Sequence, residues 1–229
     1  MVSFQEVTKI YNTKNESIAA VKDVSFDIAE GEFVSIVGKS GAGKTTLVKL
    51  LTGCEKPTNG AIIFKGINIC KANASGLQKM RRKIGVVFQD YKLLETRTVE
   101  ENLSYIMEII GLSDTSINRD VCQVLEIVGL EERAKSLPDN LSGGEQQRLA
   151  IARALIHRPD VIIADEPTGN LDLYNTYEVV NILKKINDLG ATVILATHDK
   201  NVIDKLKRRV ITLDRGCLVS DSPAGKFIL

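Results

Sequence analysis

The chain has 229 residues, 44% hydrophobic and 26% charged, which is enough to bury a core without disulfides or metals. Thirty basic residues against 29 acidic ones leave a net charge of +1, so no overall field draws the chain to nucleic acid or to an anionic membrane. The longest stretch free of Asp, Glu, Lys and Arg is Leu189–His198, short of the ~20 apolar residues of a spanning helix. Met1–Tyr11 has no leader-like apolar run, so the expectation is a cytoplasmic protein. Cys54, Cys70, Cys122 and Cys217 form no C-x-x-C pair and read as reduced thiols rather than a zinc site or disulfide framework.

Val2–Ile10 alternates loosely in polarity. Val21–Ile28 follows after a polar turn at Asn12–Ser17, and both read as strands. Phe33–Val37 is a short apolar run ending at Gly38, the pattern of a buried strand. Next comes Gly38-Lys39-Ser40-Gly41-Ala42-Gly43-Lys44-Thr45, then Thr46, which fits G-x-x-x-x-G-K-[ST] at every fixed position. Glycines let this backbone curl so that successive N–H groups point at phosphate oxygens. The helix that follows, with Leu47, Leu50 and Leu51 on one face, adds its positive end. Lys44 is expected to reach the β- and γ-phosphates of ATP, and Thr45 to offer its hydroxyl to Mg²⁺. Pro57–Gly60 breaks the helix, and Ala61–Phe64 is another strand.

Ile84–Phe88 is a β-branched apolar run, hence a strand. From about Tyr91 to His157 the patterns are helical: Val99–Ile110, Ile117–Val128, a turn at Pro138, then Gly144–His157. No strand is predicted there, so 89–157 reads as a helical subdomain inserted between 1–88 and 158–229 of an ATP-binding core. Strand–helix alternation then resumes. Val161–Ala164 is a strand that leads into Asp165 and Glu166, and Val179, Leu183 and Ile186 mark a helix face. Thr192–Ala196 and Arg209–Leu213 are further strands. The alternation predicts an α/β fold with a mostly parallel sheet. The basic run Lys205, Lys207, Arg208 and Arg209 reads as a solvated helix end.

Val161–Glu166 alone could be a strand with an acidic turn. With the phosphate loop upstream it reads as a Walker B strand, Asp165 holding Mg²⁺ and Glu166 acting as general base toward water. Leu141-Ser142-Gly143-Gly144-Glu145-Gln146-Gln147-Arg148 is a second Gly-rich loop before a second helix. Ser142 and Glu145 have the spacing of a capping box, which leaves Gly143-Gly144 and Gln146-Gln147-Arg148 unexplained.

Leu141–Glu145 matches the signature of the ABC ATPases, and the chain resembles that family along nearly its whole length. The resemblance implies a P-loop fold with an added antiparallel β subdomain. It implies an adenine-stacking role for Tyr11. Gln89 becomes the Q-loop residue near Mg²⁺ and water, and Asn170-Leu171-Asp172 the D-loop, with Asp172 near nucleotide. His198 becomes the switch residue at the γ-phosphate. Two chains are expected to pair head to tail on ATP, Ser142, Gly143 and Gly144 completing the partner's site. Phe88-Gln89-Asp90-Tyr91-Lys92-Leu93-Leu94, Arg97-Thr98-Val99 and Glu101-Asn102 are similar to the family's cell-division branch. That branch implies an integral membrane partner docked on Tyr91–Met107, with wall hydrolases as the target. An exporter subunit for lipoproteins or small molecules is the alternative. No coiled coil or second ATPase domain points to ribosomes or nucleic acid.

Overall fold

The computed structural model describes residues 1–12, 16–223 and 225. Residues 13–15 of the predicted polar turn lie outside the described residues. The elements, in chain order, are β1 Val2–Asn12, β2 Ser17–Ile28, β3 Phe33–Val37, α1 Lys44–Leu51, β4 Asn59–Phe64, β5 Ile67–Asn68 and α2 Ala74–Arg81. β6 Ile84–Val87, α3 Val99–Ile109, α4 Asp114–Val128, α5 Gly143–Leu155 and β7 Val161–Asp165 follow. The chain continues with α6 Leu173–Asp188, β8 Thr192–Thr197, α7 Lys200–Leu206, β9 Arg209–Asp214 and β10 Cys217–Ser222.

β3, β7 and β8 are buried at every residue, the mark of strands covered on both faces. They lie at the centre of a six-stranded sheet of order β10-β9-β3-β8-β7-β6, parallel except for β10. The pleat sends alternate residues to opposite layers. Val161 and Ile163 join α1 and an antiparallel sheet of order β2-β1-β4-β5. Ile162 and Ala164 join α5, α6 and α7. The α/β architecture, with its antiparallel sheet and helical layer, is the predicted one.

Helices α3, α4 and α5 share a separate cluster that includes Leu103, Met107, Val121, Leu125 and Leu149. Thr98 and Glu101 close a capping box at α3, and Gly129 ends α4 in a left-handed turn. α5 crosses edge strand β6 very closely. A Cβ at Gly85 would sit 2.1 Å from the Ala154 carbonyl oxygen.

Two expectations need correction. The β6 strand stops at Val87, and Phe88 turns outward, 41% exposed. The basic run is not a solvated helix end throughout. Arg209 opens β9, bonds Asp221 with both Nε (2.8 Å) and Nη2 (2.6 Å), and reaches Glu32 at 3.0 Å. These partners raise its already high pKa.

Candidate active site

The C-terminal ends of β3, β7 and β8 bring the phosphate loop, the acidic pair and His198 to one edge of the parallel sheet, where such sheets bind ligands. There a cavity of about 290 Å³ is lined by Ser40, Gly41, Gly43, Lys44, Thr45, Thr46, Gln89, Glu166 and His198, with Ala20 of β2 on one side. Gly43 has φ 107°, and a Cβ there would meet the Ala20 carbonyl oxygen at 2.5 Å. Only glycine suits both the turn and the approach. Gly38 and Lys39 contribute carbonyls rather than lining: Lys44 Nζ donates to them at 2.7 and 3.3 Å. Ala42 packs into the core beneath.

Lys44 is 5% exposed, and its Nζ lies 3.1 Å from Glu166 Oε1. Glu166 Oε2 lies 2.9 Å from His198 Nδ1. A carboxylate only accepts, so Nδ1 carries the proton of that bond. Glu166 follows β7 with φ 49°, a left-handed conformation that costs a non-glycine residue and is concentrated at functional sites.

Asp165 ends β7 and is buried. Its Oδ1 has no hydrogen-bond partner among the described residues. Burial pushes its carboxyl above the usual range and the neighbouring Glu166 charge adds to this. The Thr45 hydroxyl, Lys44 and Lys49 oppose it. An orphaned carboxylate oxygen beside a threonine hydroxyl is a hard-oxygen donor set of the kind Mg²⁺ takes.

Other predicted residues lie apart from this cavity. Tyr11 pairs with Ile18 across β1 and β2, close in sequence to Ala20, and its ring carries Lys9 Nζ at 4.8 Å. Ser142 caps α5: its Oγ accepts from Glu145 N at 3.3 Å, and its own N–H donates to Glu145 Oε2 at 2.8 Å. Gly144 packs on α6 so tightly that a Cβ would meet Asn175 Oδ1 at 1.9 Å. Asp172 caps α6 through Asn175 N (2.9 Å) and bonds Asn175 Nδ2 (2.6 Å).

The segment Tyr91–Met107 divides. Tyr91 and Leu93 pack inward on the core. Ile106, with Phe88 from just before the segment, instead opens on a groove of about 300 Å³ with an apolar floor and Arg81, Arg153 and His157 among its walls. Ala20, Asn175 and Arg153 carried no sequence motif. Only the chain's folding places them at these sites.

A parallel sheet whose phosphate loop faces a paired lysine and glutamate defines a P-loop nucleoside triphosphatase. The pattern that defines the ABC transporter family matches residues 21–169. The cell division ATP-binding protein FtsE of Bacillus subtilis is 44% identical over 222 residues, 97% of each chain. The methionine import ATP-binding protein MetN of Geobacillus kaustophilus is 43% identical over 220 residues, 96% of this chain and 64% of that one. Among solved structures, the dimeric ATP-binding cassette MJ0796 bound to ADP and Pi superposes with a TM-score of 0.89 at 38% identity, covering 99% of this chain and all 100% of that one. The chain belongs to the ABC transporter family, and it is an ATP-hydrolysing enzyme.

Proposed function

We propose that this chain is the ATPase subunit of an FtsE–FtsX-like membrane complex, in which ATP-driven closure of a homodimer is coupled to control of cell-wall hydrolysis in bacterial cell division. The observation that carries the reading is the similarity to FtsE along almost the whole of both chains, reinforced by the segment Phe88–Asn102 that follows the Q-loop position.

In this reading the loop from Gly38 to Thr46 cradles the triphosphate, and Lys44 balances its β- and γ-phosphates. Tyr11 stacks on adenine. Mg²⁺, held by Thr45, Asp165 and Gln89, would neutralise phosphate charge. Glu166 takes the proton of the attacking water, and His198 orients Glu166 and meets the γ-phosphate. Ser142, Gly143, Gly144 and Asp172 act across the dimer, in keeping with their absence from the lining of their own chain's cavity. We take 1–88 with 158–229 as the ATP-binding core and 89–157 as the unit that passes the motion on. The groove beside Phe88 and Ile106 receives the membrane partner, and the chain works as a peripheral subunit on the cytoplasmic face. No helix of the described residues is long and apolar enough to cross a membrane.

The test is co-purification of the Glu166→Gln protein with ATP in mild detergent, identifying every membrane protein retained. An FtsX-like protein accompanied by wall hydrolases or their adaptors supports the reading. A lipoprotein-releasing, drug-exporting or methionine-importing permease replaces the physiology and keeps the chemistry. Nucleic acid or ribosomes alone would sink it.

A further inference from the structure

Arg153 joins three parts of the molecule. It sits in the last turn of α5, the helix that Ser142 opens. Its Nη2 donates to the Tyr91 carbonyl at 2.7 Å and its Nη1 to the Lys92 carbonyl. These residues come two and three positions after Gln89. Both have φ 55°, the left-handed region that favours glycine. Two consecutive residues of this kind persist only where their surroundings hold them. A planar guanidinium meets the two carbonyls with two separate nitrogens held in a rigid fork, whereas an ammonium is one rotatable point charge on a flexible stem.

The same side chain lines the groove with Phe88, Ile106 and Cys54. It has no carboxylate partner among the described residues, and burial pushes its pKa below the ordinary value. A largely buried cation without a counter-charge is costly. A carboxylate arriving in the groove would relieve that cost.

We propose that Arg153 is a positioning residue for ATP hydrolysis: it clamps the turn at Tyr91–Lys92, sets Gln89 through that turn, and takes the carboxylate of a docked partner. The inference rests on the reading that Gln89 serves the reaction and that the groove receives a membrane protein. Occupancy of the groove and the catalytic set are then coupled through one side chain.

The experiment is a double-mutant cycle on the full chain with Mg²⁺ and ATP, using Arg153→Met, Arg153→Lys and Gln89→Ala. Thermal unfolding of each variant establishes that it is folded. Arg153→Met should lower kcat by roughly 2- to 30-fold, the span of such couplings, with KM little changed. On the Gln89→Ala background it should cost nothing further. Arg153→Lys should lose kcat as well, because the fork is gone. Having kept the charge, it should still recover the membrane partner in the co-purification, where Arg153→Met recovers less. Multiplying losses, equal falls in affinity and turnover, or equal partner recovery by Met and Lys would overturn the proposal. If Gln89→Ala alone turns over normally, the reading of the active site fails instead.

Discussion

Glu166 and His198 share a hydrogen bond of 2.9 Å between Oε2 and Nδ1, while the other Glu166 oxygen stands 3.1 Å from Lys44 Nζ. The carboxylate is thus fixed from both sides at the end of β7. A carboxylate so placed needs no search for its orientation, which is where much of the worth of the proposed base would lie.

Replacing Glu166 with Gln keeps the size and one acceptor but removes the proposed base. ATP binding should persist while turnover falls by a factor on the order of 10²–10⁴. Nucleotide titration and phosphate release check the two halves. Near-normal turnover would mean that another group takes the proton.

Ser142 caps α5, and the role proposed for it across the dimer separates from the cap by substitution. Ser142→Ala removes the α5 cap and should cost about 1 kcal/mol of stability, read by denaturant unfolding. Ser142→Arg should leave nucleotide binding by the monomer intact and abolish the ATP-dependent dimer in sedimentation with the Glu166→Gln background. A persistent dimer would remove the signature loop from the interface.

Gly144 and Asn175 are coupled by space alone. Gly144→Ala drives a methyl into the Asn175 amide and should destabilise by about 1–3 kcal/mol, as overpacking does. Asn175→Ala takes away the nearest atoms, so the double variant should be more stable than the sum of the two losses. Strict additivity in unfolding measurements would contradict the close packing of α5 on α6.

Asp165 illustrates a site held against the preference of the fold. Its folded-state pKa is raised above the ordinary 3.8, chiefly by burial. The penalty for ionising it is therefore absent below the ordinary value and grows as pH rises to the raised one. Above that it is constant. Asp165→Asn should raise the unfolding temperature at pH 7 and abolish turnover. The gain should shrink through pH 4 and vanish by about pH 3, where the wild-type carboxyl is neutral in both states. A gain that is flat with pH would assign the effect to packing instead.

The mostly apolar runs at Phe33, Val161 and Thr192, broken only by small side chains such as Ser35 and Thr192, were readable because strands covered on both faces have no polar face. The phosphate loop and the acidic pair followed from spacing along the chain. The α2 helix was not readable: of Ala74–Arg81 only Met80 is buried, so it carries no apolar stripe, and its one local signal is the Asn73 cap. β10 is an edge strand with no buried residue, and its alternation is correspondingly faint. Tyr91 and Leu93 look like surface docking residues in sequence because their burial depends on α5, about sixty positions later. The Arg153 contacts were hidden for the same reason.

Gly85 and the Ala154 carbonyl leave no room for a side chain between β6 and α5. Backbones in such intimate apposition cannot slide past one another. Any side chain at position 85 would have to push α5 off the edge of the sheet, so the seam between the helical cluster and the parallel sheet is closed here to every residue but glycine.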